Sequence, residues 1–274
     1  MNPVAFTLFG MEVRWYGLLI ALGIIAGIGL ACWNAPKRGY KNDDPFELIL
    51  WMFPPAIIGA RLYFLIFNGG PWDMNAFAIW NGGIAIYGGI IGGAVGALLY
   101  CWIRKKNFFK LADLVAPSLI LGQGIGRWGN FVNQEAFGNL VTDPNLQHFP
   151  YAVYIDRLGE WHQATFFYES MCDLLICIVL IVLLRKINWT GIVISSYMVM
   201  YGIIRFFIEG LRTDSLMWGA LRVSQWLSLL LVVVGVALII YIVIKNTRNK
   251  RQNGGGKQQY LSLHITKNEV GSDG

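Results

Sequence analysis

Long apolar runs alternate with short polar stretches along residues 1–245 of this chain. Several of these runs approach the ~20 apolar residues that an α-helix needs to cross ~30 Å of hydrocarbon. The pattern therefore predicts an all-α integral membrane protein with seven transmembrane helices. We expect the spans at about 13–33, 45–67, 82–103, 111–127, 167–184, 191–208 and 222–244.

The composition agrees with a membrane-embedded chain. The positions of the basic residues indicate its orientation. Hydrophobic residues make up 55% of the 274 positions and charged residues only 14%, against ~25% charged residues in soluble domains. The net charge of +6 does not indicate nucleic acid, because the basic residues cluster in alternate loops. Cytoplasmic loops carry the excess of Lys and Arg, so we expect an external N-terminus and a cytoplasmic C-terminus. The basic clusters are Lys37 to Lys41, Arg104 to Lys110, Arg185 with Lys186, and Lys245 to Arg251.

The predicted domain organisation is one seven-span transmembrane domain, residues 1–245, followed by a tail. Residues 246–274 are polar, interrupted by glycine and free of amphipathic period, which predicts a disordered cytoplasmic tail. One long external loop, about residues 139–166, has the length of segments that often form lids or binding elements. The start of the chain does not have the basic and apolar regions of a removable signal peptide.

The four cysteines suggest packing rather than metal chemistry. They fall within apolar spans and form neither a CxxC pair nor a metal-ligand spacing. We therefore expect no metal site and no cofactor. They are Cys32, Cys101, Cys172 and Cys177.

Span three carries a glycine stripe with two possible roles. Gly88, Gly92 and Gly96 recur every four residues, and such small-xxx-small patterns let helix backbones approach closely in lipid. The stripe either packs against another helix or leaves a smooth groove for an acyl chain, and both roles can coexist.

Most of the polar residues within or beside the predicted spans fall in the external third of the membrane. Ionisable residues in hydrocarbon are costly and usually mark a functional site. One cavity open towards the outer leaflet is the economical explanation for their common depth. The residues are Arg14, Tyr16, Arg61, Tyr87, Arg127, Glu169, Arg205 and Glu209.

Helical spacing predicts how some of these residues pair. Tyr201, Arg205, Glu209 and Arg212 share one face of span six, because side chains three or four residues apart lie together. Internal ion pairs of Glu209 with Arg205 and Arg212 are one interpretation. Pairing does not account for all the arginines, since Arg14, Arg61, Arg127 and Arg205 outnumber Glu135, Glu169 and Glu209. The excess predicts an electropositive cavity, and guanidinium groups suit the oxygens of a lipid phosphate.

Residues 122–138, GQGIGRWGNFVNQEAFG, place the densest polar group at the expected end of span four. Arg127 is suited to binding a phosphate, while Asn130 and Asn133 are suited to orienting ester or glycerol oxygens. The four glycines permit close packing or a broken helix beside a cavity. A simple helix cap with a snorkelling arginine would explain Arg127 and one Asn, but not the whole group.

The stretch GRWGNFVNQEAFG, residues 126–138, resembles the signature of the bacterial prolipoprotein diacylglyceryl transferase family, G-R-x-G-N-F-x-N-x-E-x-x-G. Eight fixed positions within thirteen residues make this a specific match. The resemblance extends over about residues 10–245. Other similar stretches, in the same order, are VRWYGL (13–18), GARLYF (59–64), GGIAIYGGIIGG (82–93), TFFYES (165–170) and YGIIRFFIEGLRTD (201–214).

This resemblance implies an enzyme of the bacterial plasma membrane with its active site towards the outer leaflet. It would move the diacylglyceryl group of phosphatidylglycerol onto the lipobox cysteine of prolipoprotein signal peptides, forming a thioether and releasing glycerol phosphate. Catalytic or substrate-contacting roles would fall on Tyr16, Arg127, Asn130, Gly138, Tyr201 and Arg205. Further candidates for binding substrate are Arg61, Tyr87, Asn133, Glu135, Glu169 and Glu209.

The sequence departs from the family pattern at two places. Tyr87 stands where many members have histidine, and Ala164 stands where proline is usual. The acceptor of the thiol proton is therefore open, with His162, Glu135 and the phosphate itself as candidates. For His162 a solvated or capping role is the alternative.

Two other function classes are less compatible with the sequence. A lipid or anion transporter with an external-facing arginine-lined site would often show internal repeats and polar residues on both faces. An intramembrane hydrolase would need a GxSxG serine, a catalytic aspartate pair or an HExxH motif, and we find none of these in the sequence.

Overall fold

The computed structural model describes residues 3–8, 10–68, 83, 85–213 and 217–270. Within this part of the chain lie seven helices long and apolar enough to cross a membrane, which confirms the predicted number of spans. They are α1 (Trp15–Asn34), α2 (Asp44–Asn68), α3 (Ile86–Ile103), α4 (Phe108–Asn133), α5 (Thr165–Lys186), α6 (Ile192–Leu211) and α7 (Val223–Val270).

Among the described residues, six short strands pair into antiparallel hairpins at the ends of the helices. Each hairpin joins strands that are consecutive in the chain, so none builds a sheet across the bundle. The pairs are β1 (Val4–Leu8) with β2 (Met11–Arg14), β3 (Ala152–Ile155) with β4 (Glu160–Gln163), and β5 (Met217–Trp218) with β6 (Leu221–Arg222).

The fourth helix is longer than the apolar pattern predicts. It ends at Asn133 rather than near residue 127, so Arg127 and Asn130 belong to the helix. Hydropathy treats each polar residue as if lipid surrounded it, whereas polar residues that face other helices can continue a span. The glycines of residues 122–129 do not break α4, and several of them permit close packing.

The helices form an antiparallel bundle with α4 at its centre. α4 packs on α1, α5 and α6, while α2 packs on α3 and α6 on α7. Gly23 of α1 lies against Gly122, and Gly27 lies against Ser118, which shows that α1 and α4 run in opposite directions. We call the end of the bundle at which α1 begins the upper end, and the other the lower end.

The glycine stripe of α3 serves helix packing. A methyl group on Gly88 or Gly92 would collide with the backbone carbonyls of Gly59 and Pro55 on α2. One on Gly96 would lie 2.5 Å from the carbonyl oxygen of Trp51. Of the two roles predicted for the stripe, close packing is confirmed, and the α2 backbone occupies the space that an acyl chain would need.

The predicted external loop contains the β3–β4 hairpin and sits at the upper end. Val153, Ile155 and Phe166 pack in a small apolar cluster of its own. The hairpin is also tied to the end of α4, since the Gln134 side chain donates to Asp156 Oδ2 at 2.9 Å and accepts from the Asp156 backbone N–H at 3.0 Å. This segment is an ordered cover on the upper end of α4.

The last helix continues beyond its apolar part. The segment that is apolar enough to span a membrane ends at Asn249, and the helical backbone runs on to Val270. Extending an existing helix costs little free energy, whereas the composition of residues 246–274 favours disorder. Disorder of the tail therefore stays a prediction, and residues 271–274 lie outside the described residues.

Candidate active site

Arg127 and Arg205 meet at one carboxylate near the upper end of the bundle. Glu169, in the second turn of α5, receives Arg127 Nη2 at 2.8 Å on Oε1 and Arg205 Nη1 at 2.9 Å on Oε2. The three side chains come from α4, α6 and α5, and Glu169 is 2% exposed. A buried carboxylate at this depth needs such partners, because charge burial is costly unless it is paired.

The ion pairs predicted along α6 are confirmed. Glu209 Oε2 lies 2.5 Å from Arg205 Nη2, an ion pair without hydrogen-bond geometry, and 3.7 Å from Arg212 Nη1. Arg222, just before α7, donates to the backbone carbonyl oxygen of Glu209 at 2.5 Å. We call the linked side chains Arg127, Glu169, Arg205, Glu209 and Arg212 the arginine cluster.

Asp173 is a site residue that sequence reasoning missed. It lies one turn below Glu169 on α5, is 0% exposed, and neither carboxylate oxygen has a hydrogen-bond partner among the described residues. It interacts electrostatically with Arg127 and Arg205. The signal was present in the sequence: two acidic residues four positions apart in an apolar span share one helix face.

The register of α4 and α5 around this carboxylate is set by neutral hydrogen bonds. Trp128 Nε1 donates to Ser170 Oγ at 3.2 Å, and Ser170 Oγ donates to the Gly124 carbonyl oxygen at 2.8 Å. A methyl group on Gly124 would lie 3.2 Å from Asp173 Cβ. Gly124 therefore lets the two helices approach closely enough for Arg127 to reach Glu169.

Tyr201 lies beside Arg127, as its candidate role requires. Its ring stacks on Tyr197 with centroids 5.6 Å apart and planes at 3°. The Tyr197 hydroxyl donates to Gln123 Oε1 at 3.2 Å. This arrangement holds the Tyr201 ring in place against the upper half of α4.

The amides of the signature form a rim above the cluster. Asn130 Nδ2 and Asn133 Nδ2 donate to Glu135 Oε1 at 3.4 and 3.3 Å. Both pairs are solvent-exposed and long, so they are weak bonds that a ligand can replace. Glu135 follows the helix end at Gln134, whose positive φ of 51° turns the chain back.

Tyr16 packs directly on the signature. A methyl group on Gly129 would lie 2.5 Å from Cδ2 of the Tyr16 ring, so only glycine leaves room for this contact. Tyr16 is 37% exposed, which leaves part of the ring available next to Asn130 and Asn133. Tyr16 and the signature therefore lie side by side at the upper end, and a substrate role for Tyr16 stays a prediction.

Gly138 and His162 contact each other and neighbouring residues in the described structure. The Gly138 backbone N–H donates to the Gln163 carbonyl oxygen at 3.0 Å, and its carbonyl oxygen lies 2.9 Å from His162 Nδ1. His162 is buried, and its Nε2 lies 3.4 Å from Glu160 Oε2 without hydrogen-bond geometry. The contact with Gly138 favours a structural role for His162. Substrate contact by Gly138 stays a prediction.

Three further predicted residues lie on other parts of the upper end. Arg61, near the upper end of α2, donates to the Gly83 carbonyl oxygen at 2.8 Å. Tyr87 opens α3 with its ring 6.2 Å from that of Tyr63. Arg14 has a 66% exposed side chain and pairs with Glu12 at 3.5 Å, so it does not contribute the buried charge that the sequence suggested.

The charges around the cluster keep the predicted excess of one positive charge, although other residues supply part of it. Asp173 adds a carboxylate that the sequence count omitted, and Arg14 drops out. Four guanidinium groups face three carboxylates, which leaves one positive charge in excess if all ionise. The groups are Arg127, Arg205, Arg212 and Arg222, and Glu169, Glu209 and Asp173.

Two mostly buried arginines share one carboxylate under a rim of amides, at one end of a seven-helix bundle. This arrangement is that of a multi-pass membrane protein with an internal polar site. No group of three His, Cys, Asp or Glu in the described part of the chain is arranged to hold a metal ion. The guanidinium and amide groups of the site are hydrogen-bond donors.

The sequence profile of the prolipoprotein diacylglyceryl transferase family matches residues 3–241. The chain therefore belongs to this family, and the resemblance seen in residues 126–138 is confirmed. The match covers the first six apolar spans and ends within the seventh, in α7.

Individual members are similar over nearly their whole length. A phosphatidylglycerol–prolipoprotein diacylglyceryl transferase of Clostridium perfringens is 46% identical over 261 residues, covering 92% of this chain and 98% of its own. One of Clostridium kluyveri is 44% identical, covering 88% and 97%. One of Listeria innocua is 45% identical, covering 89% and 91%.

Proposed function

We propose that this protein transfers the diacylglyceryl group of phosphatidylglycerol to the lipobox cysteine of prolipoproteins, the first step of lipoprotein lipidation. The observation that carries the proposal is the pairing of Arg127 with Arg205 across Glu169, in a chain that belongs to this family of transferases. Both arginines have partly exposed side chains, so they can exchange part of their contact with Glu169 for a phosphate.

The site faces the outer leaflet in this proposal, with the N-terminus outside and the C-terminus in the cytoplasm. The basic residues that follow α1, α3 and α5 all lie at the lower end, which suits the cytoplasmic side. The arginine cluster lies at the upper end. Phosphatidylglycerol of the outer leaflet would then bring its phosphate to the depth of Arg127.

The reaction needs no nucleophile from the protein, because the cysteine thiol of the incoming peptide is one. Its sulfur forms a bond to the glycerol carbon, the bond from that carbon to the phosphate oxygen breaks, and glycerol phosphate leaves. Arg127 and Arg205 stabilise the negative charge on the departing phosphate and favour the thiolate. The thiol proton passes to the released phosphate or to Glu135.

The remaining candidates position the two substrates. Asn130 and Asn133 can release Glu135 and hydrogen-bond the lipid glycerol or its esters. Tyr16 and Tyr201 flank the space where the head group would lie. Glu169 and Glu209 hold the arginines in place before the substrate arrives, since preorganised charges cost no reorganisation during the reaction. Arg61 and Tyr87 would contact the lipid from α2 and α3, and Gly138 would do so from the loop after α4.

The test is direct transfer with purified protein. Incubation with phosphatidylglycerol and a lipobox peptide should add the mass of one diacylglyceryl group to the cysteine and release glycerol phosphate. A peptide with Cys→Ser should gain nothing. Loss of phosphatidylglycerol without peptide modification would contradict the proposal and favour a hydrolase, and no turnover of either substrate would also contradict it.

A further inference from the structure

Asp173 adds a negative charge to the arginine cluster without making a hydrogen bond. It lies on α5 one turn below Glu169 and is 0% exposed, and neither carboxylate oxygen has a hydrogen-bond partner among the described residues. A carboxylate that fixes the fold uses its hydrogen bonds to do so, as Asp113 does with three backbone N–H groups. The contribution of Asp173 is therefore its charge.

Asp173 lies on the side of the two arginines that is turned away from the amide rim. A methyl group on Gly124, one turn below Arg127 on α4, would lie 3.2 Å from Asp173 Cβ. Arg127 and Arg205 are the cations with which Asp173 interacts. Asn130 of the rim follows Arg127 on the upper side. A phosphate that enters under the rim therefore reaches the arginines without meeting Asp173.

Asp173 changes the net charge that a bound phosphate experiences. With its carboxylate ionised, the four guanidinium groups around the cluster exceed the carboxylates by one charge, and without it they exceed them by two. Coulombic attraction grows with the charge of the ligand. The phosphate diester of a phospholipid carries one negative charge, whereas a phosphate monoester such as glycerol phosphate carries about 1.5 to 2 near pH 7.

This difference in charge makes release of the product the step that needs control. Arginines that stabilise a departing phosphate also attract it after the bond has broken, and product release limits the turnover of many enzymes. A fixed negative charge behind the arginines repels a monoester more than it repels a diester. Asp173 therefore weakens the binding of product more than that of the donor lipid.

We propose that Asp173 is a positioning residue that acts through Arg127 and Arg205 and limits the affinity of the arginine cluster for phosphate monoesters. Glycerol phosphate can then leave after each transfer. The identity of this product rests on the proposed transferase function. The role of Asp173 itself concerns anion affinity, which can be measured by equilibrium binding without turnover.

Asp173→Asn tests the proposal, because it keeps the shape of the side chain and removes its charge. Titration calorimetry of the purified full-length protein in detergent should show that the Kd for glycerol phosphate falls about tenfold. In transfer from phosphatidylglycerol to a lipobox peptide, kcat should fall about fivefold or more, and added glycerol phosphate should inhibit at about tenfold lower concentration. Asp173→Glu keeps the charge and should restore the Kd to within about threefold.

Asp113→Asn is the matched control, because it removes a buried carboxylate at the opposite end of the bundle. It should leave the Kd for glycerol phosphate and kcat unchanged. Asp173→Leu is a second neutral variant, of similar volume and suited to an apolar span, and it should also bind glycerol phosphate more tightly.

Unchanged or weaker binding of glycerol phosphate by a folded neutral variant, checked by thermal unfolding, would overturn the role of Asp173. Failure of both neutral variants to fold would overturn it as well, because the carboxylate would then be needed for the structure. If the unaltered protein modifies no peptide but the neutral variants still bind the anion more tightly, the transferase function fails and the role of Asp173 stands.

Discussion

Two buried carboxylates at opposite ends of the bundle have different kinds of partner. Asp113, near the lower end of α4, accepts the backbone N–H groups of Gly191, Val193 and Ile194 at 2.7, 2.9 and 2.9 Å. It thereby caps the N-terminus of α6, whose first N–H groups have no partner within the helix. We call this arrangement the Asp113 cap. Glu169, at the upper end, is held by two guanidinium groups instead.

This difference in partners distinguishes a carboxylate that stabilises the fold from one that belongs to the candidate active site. The partners of Asp113 are main-chain groups of fixed position, and they occupy three of the roughly four acceptor positions of a carboxylate. The partners of Glu169 are cations on flexible side chains, and in the proposed function they transfer part of their contacts to an incoming phosphate. A buried carboxylate is therefore no sign of a substrate site until its partners are known.

Other polar side chains at the lower end also have structural contacts. Arg185 Nε donates to Asn34 Oδ1 at 3.2 Å, and its guanidinium lies 3.7 Å from the centre of the Trp33 ring. Burial raises the pKa of Tyr40, in the loop after α1, to about 12, so its hydroxyl stays neutral at physiological pH. The contacts of Arg185 thus join α5 to the end of α1.

The largest expected effect comes from removing a guanidinium of the arginine cluster. Arg127→Ala should lower kcat/KM for transfer about 10²–10³-fold, because one charge-stabilising donor at the departing phosphate is lost. Glu169 keeps Arg205, so the protein should still insert and fold. Transfer to a lipobox peptide measures the effect, and Arg14→Ala, at the exposed arginine, is the control. Near-normal transfer by Arg127→Ala would contradict a role for Arg127 in stabilising the departing phosphate.

Removing the Asp113 cap should lower the stability of the protein and leave its transfer activity unchanged. Asp113→Ala leaves three buried N–H groups without an acceptor and should cost about 2–4 kcal/mol of stability. Thermal unfolding in detergent should therefore shift downwards, while kcat/KM of the remaining folded protein stays the same. Asp113→Asn keeps one acceptor oxygen and should lose less. A variant that keeps its stability but loses transfer would show that the cap belongs to the site.

Gly129→Ala tests the packing of Tyr16 on the signature. The new methyl group would lie 2.5 Å from the Tyr16 ring, so the ring must move and kcat/KM should fall about tenfold. Gly29→Ala on α1 is the matched control, because its methyl group would meet no described atom within 4 Å. That variant should keep full activity and gain slightly in stability. Equal activity of the two variants would contradict a role for the Tyr16 position.

The smallest effect is expected from the tail. Deleting residues 250–274 removes no residue of α1 to α6 and no residue of the membrane segment Val223–Asn249. Transfer and thermal stability should stay within about twofold and a few degrees of the full chain, as for a disordered segment. A large loss of transfer would show that the tail contributes to substrate binding or insertion.

Local sequence spacing was sufficient for some features of the site. The ion pairs of Glu209 with Arg205 and Arg212 follow from positions four and three residues apart on one helix, and the structure confirms them. The family signature identified Arg127 and Asn130. Spacing could not show that Glu169 bridges two arginines, because its partners come from helices far apart in the chain.

The sequence by itself determined the seven spans, the alternating basic loops and the residues of the signature, because hydropathy and helical period are local properties. The tertiary structure decided the rest: that Asp113 caps α6, that Gly129 accommodates the Tyr16 ring, and that a groove opens between α1, α2 and α4. Each of these depends on how far one helix is rotated and shifted against another. In lipid that choice is made by packing and hydrogen bonds between helices, which no single segment of the sequence contains.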